Sequence, residues 1–324
     1  MYDMTLDELR TYKGSSVKAA DFDAYWEEAL RELDQVDFQV KKTVYEPAGR
    51  AWKTVECAWL EFTGVGGARV RAKYLRPRTE GKHPCVLVFH GYTWNSGDWA
   101  NLLPYVSEGL CVAALDCRGQ GGRSEDNASV CGYTLGGHIV RGLDGELKDL
   151  AYRRIYLDTV ALARIMASLP EVDPDRMATC GSSQGGALSI ACSALYGKMK
   201  RTLVGNPFLS DFKRVYEMGK CLNPYRGIGY AEICDYLRRF DPFHECVDEV
   251  FTKLSYIDTI NLAPRINNKV LMAIGLQDQT CPPSTQFAVY NNLGGEKQVL
   301  IYPDFDHEAL PGWGDHQISF LSAL

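Results

Sequence analysis

From about residue 85 the chain repeats one pattern: short apolar runs separated by segments with helical spacing. The runs are Cys85–Phe89, Cys111–Leu115, Met177–Cys180, Thr202–Val204, Val270–Ile274 and Val299–Tyr302. None alternates polar with apolar residues, as a strand covered on one face would. Strands buried on both faces lose that alternation, so the runs predict a mostly parallel sheet flanked by crossover helices. The intervening spacing predicts helices over about 149–168, 184–197, 284–293 and 313–324. Ahead of the sheet, Ala58–Phe62 and Val70–Leu75 alternate around Gly64-Val65-Gly66-Gly67, which predicts an antiparallel hairpin. Residues 1–50 read as a helical extension, with Phe22, Trp26, Ala29, Leu30 and Leu33 on one helix face. Residues from about 207 to 261 break the strand–helix rhythm and read as an insertion near the sheet's active end. No repeat or linker divides the rest, so residues 1–324 are expected to form a single α/β domain.

Composition narrows the function. Hydrophobic residues are 46% of the chain and charged residues 23%, ordinary for a folded protein. A net charge of −6 argues against a broad nucleic-acid or anionic-membrane surface. The chain opens with acidic residues where a signal peptide would carry a basic and then an apolar stretch. No run approaches the roughly 18 apolar residues that a membrane span needs. The 11 cysteines are odd in number and include no Cys-x-x-Cys pair, and the 6 histidines show no ligand spacing beside them. Reduced thiols in a cytoplasmic protein, with no metal and no cofactor, are the expectation.

The chemistry concentrates in Gly181-Ser182-Ser183-Gln184-Gly185, which follows an apolar strand and opens a helix rich in small residues. A strand–turn–helix elbow of this kind presents a serine at the tip of a strained turn. Its flanking glycines let strand and helix approach closely. The frame makes Ser183 the nucleophile and Ser182 the variable position. A serine hydroxyl needs a histidine to take its proton and a carboxylate to hold that histidine. In α/β-hydrolases these partners follow in the order Ser, acid, His.

His244, His307 and His316 come after Ser183. Only His307 lies just past a strand, in the kind of loop where active-site groups collect. Asp278 follows the run Val270–Ile274 and is the candidate acid, with Asp304 and Asp306 competing from the loop of His307. An oxyanion hole needs two N–H donors. The backbone of Gln184 offers one, and Tyr92, after the strand ending Phe89-His90-Gly91, offers the other. His90 reads as a buried residue orienting that loop. Arg118-Gly119-Gln120-Gly121-Gly122 lacks the ending of a phosphate-binding loop and reads as a tight turn in which Arg118 ties loops together.

Together these segments resemble the acetyl xylan esterase/cephalosporin-C deacetylase family, the seventh carbohydrate esterase family. Its signatures stand here as Arg118-Gly119-Gln120, Gly181-Ser182-Ser183-Gln184-Gly185 and His307-Glu308. Further likeness runs through Asp21–Trp26, Tyr156–Asp158, Asn206–Ser210, Leu254–Asp258 and Gly275–Asp278 with Pro282–Thr285. The resemblance implies the triad Ser183, Asp278 and His307, and an oxyanion hole from the N–H groups of Tyr92 and Gln184. It implies that Arg118 and Gln120 hold the active-site loops. It further implies a cytoplasmic serine carboxylesterase without cofactor that removes acetyl groups from small neutral sugars and cephalosporins. Such proteins assemble as ring-like hexamers.

The chain departs from that pattern at Asp306, where the family often has glycine and where a carboxylate could stabilise the imidazolium. Trp94, Trp99 and Trp313 suggest an aromatic pocket. Two rival classes share these residues. A serine peptidase of prolyl-oligopeptidase type has the same triad order but usually carries a large N-terminal propeller. A non-catalytic binding protein on a hydrolase fold typically loses a triad member.

Overall fold

A computed structural model describes residues 3–129, 137–219 and 228–324. Among them, nine strands form one sheet: β1 (Lys41–Val44), β2 (Val55–Thr63), β3 (Arg69–Pro77), β4 (His83–Phe89), β5 (Cys111–Asp116), β6 (Val172–Ser182), β7 (Arg201–Gly205), β8 (Lys269–Gly275) and β9 (Lys297–Tyr302). The order is β1-β2-β3-β5-β4-β6-β7-β8-β9. The hairpin pairs antiparallel with Ala58 opposite Tyr74, and β3 continues antiparallel onto β5. From β5 to β9 every pairing is parallel, with Leu87 beside Ala113 and Val88 beside Cys180. β5 is buried at every position, the reason its sequence does not alternate. This strand order, with helices joining the parallel strands, is the α/β-hydrolase arrangement.

The helices are α1 (Leu6–Leu9), α2 (Phe22–Asp34), α3 (Leu103–Ser107), α4 (Ala151–Ser168), α5 (Gln184–Tyr196), α6 (Phe212–Glu217), α7 (Ile228–Phe240), α8 (Val247–Ser255), α9 (Thr259–Leu262), α10 (Pro283–Asn292) and α11 (Trp313–Leu321). The four helices expected beside the sheet appear as α4, α5, α10 and α11, each within a few residues of its expected bounds. Helices α6 to α9 lie between β7 and β8, where the strand–helix rhythm breaks. In α2, Phe22, Trp26, Ala29 and Leu33 are fully buried. Burying each large apolar side chain contributes about 1.5–3 kcal/mol, so the extension is fastened to the body. The indole N–H of Trp26 donates to the Tyr256 carbonyl at 3.0 Å. The expected face is modified at Leu30, which is only half-buried. The stretch read as helical also contains β1, whose four exposed residues carry no burial pattern for sequence reading to detect.

The nine described cysteines are all free thiols, and eight are buried. Cys85 and Cys111 are register partners on β4 and β5 and are fully buried in the hydrophobic core. No helix of the described residues is long and apolar enough to cross a membrane.

Candidate active site

Ser183 follows the last residue of β6 and precedes α5, with φ 56° and ψ −124°. A non-glycine residue rarely adopts such a conformation, which costs of order 1–3 kcal/mol and survives only when neighbours impose it. The imposing contacts are visible. The Ser183 N–H donates to Gly205 O at 2.8 Å, and its carbonyl accepts from the N–H of Phe208 at 3.1 Å. The flanking glycines are steric requirements: a Cβ on Gly185 would lie 2.1 Å from the Phe89 carbonyl oxygen, and one on Gly181 would lie 2.4 Å from the Gly185 carbonyl carbon. Strand β4, strand β6 and helix α5 meet there too closely for any side chain.

His307 and Asp278 come together from different loops. His307 Nδ1 lies 2.8 Å from Asp278 Oδ2. Asp278 is fully buried, four residues short of the Pro282 that precedes α10, and its Oδ1 accepts from the N–H groups of Thr280 at 2.9 Å and Cys281 at 2.7 Å. Burial pushes the Asp278 carboxyl above its ordinary range, while the hydrogen bonds, foremost that to His307, oppose the shift. Ser183 and His307 both line a cavity of about 570 Å³, together with Ser182, Asn206, Glu308 and Trp313. That size suits a small organic ligand.

The competing residues lie elsewhere or do other work. Asp304 is exposed, as are His244 and His316. Asp306 Oδ1 accepts from the backbone N–H groups of Gln279 and His307, both at 2.7 Å. Asp306, whose charge beside His307 was expected to stabilise the imidazolium, staples the loop of the acid to the loop of the histidine through these bonds. The expected aromatic pocket is also narrower than three tryptophans. Trp313 lines the cavity, but Trp99 is buried against Tyr45 and Trp59, and Trp94 is exposed. Side-chain spacing along a loop does not reveal which way each ring turns.

The proposed oxyanion donors occupy two linked positions. Gln184 is the first residue of α5, so its N–H has no carbonyl one turn back to accept it. Tyr92 lies in the turn after β4. The Gln184 side chain is fully buried between them. Its Oε1 accepts from Gln120 Nε2 and from the Tyr152 hydroxyl, each at 2.7 Å. Its Nε2 donates to Gln120 Oε1 at 3.0 Å and to the His90 carbonyl at 3.3 Å. Gln120 Oε1 also accepts the Thr93 N–H at 3.0 Å, so it holds the loop that carries Tyr92.

Arg118 and Gly119 support the same loops. Arg118 is buried and pairs both ways with Asp158 of α4, each N–O distance 2.6 Å, while its third nitrogen donates to Val65 O in the hairpin turn. Gly119 has φ +69°, and a Cβ there would meet Asp126. Glu308 accepts the Asp306 N–H at 3.1 Å, which closes the His307 turn. His90 receives the Cys117 N–H on Nε2 at 3.0 Å, so its proton sits on Nδ1, facing Gly91 O at 2.7 Å. Burial lowers the pKa of this imidazole and keeps it neutral.

Sequence reading missed three groups: Tyr152, Asp158 as the partner of Arg118, and Gln286. Gln286 on α10 donates to Asp278 Oδ2 at 3.0 Å. Polar neighbours surround them (Arg153 and Arg154, Thr159, Ser284 and Thr285), so none stands out until its partner is known.

Asp278, Cys281 and His307 also bring three donor atoms within 4.8 Å of one another. Their chemistry suits an acid–base pair better than a cation. Burial, reinforced by Asp278, holds the Cys281 thiol well above its ordinary pKa and therefore protonated. The Asp278 oxygens are already engaged by His307, Gln286 and two backbone N–H groups.

Residues 1–324 match the family described as acetyl xylan esterase (AXE1). The structure is similar to that of acetyl xylan esterase 1 from Thermoanaerobacterium sp., with 49% identity, a TM-score of 0.95 and 99% of each chain covered. It is also similar to an acetyl xylan esterase from Paenibacillus sp., at 34% identity and a TM-score of 0.92, again over 99% of each chain. A curated relative, the acetyl esterase Axe7A of Xylanibacter ruminicola, is 26% identical over 294 residues. Those residues are 89% of this chain, which spans 63% of the length of that relative.

Proposed function

Because the chain belongs to the acetyl xylan esterase family, we propose that it is a serine carboxylesterase that removes acetyl groups from short acetylated carbohydrates such as xylo-oligosaccharides. Ser183 Oγ attacks the acetyl carbonyl carbon while His307 takes its proton. Asp278 holds the imidazole in the tautomer that leaves Nε2 free to accept, and stabilises the imidazolium that forms. The N–H groups of Tyr92 and Gln184 stabilise the oxyanion, and losing one such donor typically lowers turnover about 10²–10³-fold. His307 then protonates the departing sugar oxygen, leaving an acetyl ester on Ser183. A water molecule, deprotonated by His307, attacks that ester and releases acetate.

The observation that carries this reading is the hydrogen bond from His307 Nδ1 to the buried Asp278 Oδ2, with His307 and Ser183 of the strained elbow lining one cavity. The family match favours an ester over a peptide as substrate. The test is hydrolysis of p-nitrophenyl acetate and release of acetate from acetylated xylo-oligosaccharides. Ser183→Ala should abolish both, and turnover by that variant at the unsubstituted rate would overturn the reading.

The same proposal extends to cephalosporin C as a further acetyl ester, to a neutral substrate that needs no charged anchor, and to a hexameric assembly measurable by light scattering. A cytoplasmic setting is supported by the free thiols of the described residues.

A further inference from the structure

Glu232, on α7, is 5% exposed and has no cation partner among the described residues. Its Oε1 accepts the Tyr92 hydroxyl, and its Oε2 accepts the Ile139 N–H at 3.3 Å. Burial pushes its carboxyl well above the ordinary glutamate range, despite those hydrogen bonds. A polar side chain buried this way costs stability that a leucine of similar size would not. Packing alone does not account for an acid at this position.

What Glu232 holds is the far end of the residue that carries the second oxyanion donor. The Tyr92 phenol also accepts the His138 N–H at 3.1 Å, and its ring packs edge-on to His138 and against Phe208, with centroids 5.6 and 5.4 Å away. The other end of the same peptide unit is fixed independently. Gly91 O faces the protonated Nδ1 of His90 at 2.7 Å and accepts from Gln184 Nε2 at 3.4 Å and the Trp94 N–H at 3.2 Å. The Gly91–Tyr92 peptide is trans, so its N–H points opposite to that anchored carbonyl. Gly91 has no side chain to restrain this plane. The tyrosine side chain, held at its phenol, restrains the same plane from the Tyr92 side.

We propose that Glu232 is a positioning residue that aims the Tyr92 N–H at the developing oxyanion, coupling α7 to the catalytic turn through the phenol. The inference rests on the acetyl-serine reading above and adds a residue to it. An aim that matters only once negative charge has developed affects the chemical step more than substrate capture.

The experiment is steady-state kinetics on p-nitrophenyl acetate with Glu232→Leu, Tyr92→Phe, the double variant and Glu232→Gln, with thermal melts to confirm folding. Tyr92→Phe removes the bond to Glu232 from the other end, together with the one from the His138 N–H, and leaves the main chain unaltered. Both single changes should lower kcat about 10–30-fold with KM within about 3-fold, below the full loss of a donor because the N–H is misaimed and not removed. The double variant should lose less than the product of the two single losses, because both changes remove the one Tyr92–Glu232 bond. Glu232→Gln, which retains one acceptor, should recover part of kcat. Affinity for a boronic acid that adds to Ser183 as a tetrahedral mimic should fall by the same factor as kcat.

A kcat unchanged within 2-fold in Tyr92→Phe, a rise in KM alone, or additive losses in the double variant would each overturn the inference. If Glu232→Leu does not fold, Tyr92→Phe with the boronate measurement decides. Ser183→Ala separates the two claims: if it stays active the esterase reading fails, whereas inactive Ser183→Ala beside a fully active Tyr92→Phe defeats the positioning role alone.

Discussion

Gln120 and Gln184 face each other through both side-chain amides, Gln120 Nε2 donating to Gln184 Oε1 at 2.7 Å and Gln184 Nε2 returning a bond to Gln120 Oε1 at 3.0 Å. The pair joins the Arg118-Gly119-Gln120 turn to the first residue of the nucleophile helix. Because Gln120 also takes the Thr93 N–H and Gln184 reaches the His90 carbonyl, both proposed oxyanion donors are held by one amide pair. Gln120→Leu leaves buried amide groups unpaired, which costs about 1–3 kcal/mol. It is expected to lower kcat/KM roughly tenfold or more, with most of the loss in kcat. Equal kinetics for Gln120→Leu and the unsubstituted protein would remove Gln120 from the account.

The Arg118–Asp158 pair is a stability element. The side chains are 2% and 1% exposed, and removing one partner strands the other's charge. Asp158→Ala should destabilise the fold by about 3–5 kcal/mol, read from urea unfolding. A loss below 1 kcal/mol would mean that water or another group takes over the guanidinium.

Gly185 tests the elbow's geometry. Its missing Cβ would lie 2.1 Å from a main-chain oxygen that no rotamer can move, whereas one on Gly314, in α11, meets nothing within 4 Å. Gly185→Ala should cost more than about 2 kcal/mol and most of the activity, because overpacking must shift a strand. Gly314→Ala should fold normally, and comparable stability of the two variants would contradict the steric argument.

Asp258 makes a pH prediction. It is buried at the start of α9, and burial, with the neighbouring Asp211, raises its pKa to about 7. An unfolded aspartate titrates near 3.9. Between those values the folded chain binds the extra proton, so the stabilisation present below about pH 4 is lost as pH rises through about 7. In Asp258→Asn the fall in melting temperature from pH 4.5 to pH 7.5 should be smaller than in the unsubstituted protein. An identical slope would show that Asp258 stays ionised in the fold.

Much of this architecture is legible in the sequence because it depends on local pattern. Runs such as Val270–Ile274 lack alternation since both faces are covered. Gly181 and Gly185 bracket Ser183 since nothing larger fits. What was not legible depends on contacts between distant segments. Gln286 bonds Asp278 from one turn inside a helix, and Glu232 meets Tyr92 across 140 residues of chain. Neither leaves a periodic trace. Asp306 shows the same limit within a loop: its position beside His307 was visible, but not that its carboxylate turns to backbone N–H groups.

The central claim is that Ser183 carries the acetyl group between two half-reactions. Acid-quenching the protein during turnover of p-nitrophenyl acetate and digesting it for mass spectrometry tests this directly. The peptide containing Ser183 should gain about 42 Da, the mass of an acetyl group replacing a hydrogen. The gain should be absent in Ser183→Ala and should accumulate in His307→Ala only if acylation survives loss of the base. Full turnover with no modified Ser183 peptide, matched by an active Ser183→Ala, would contradict the account.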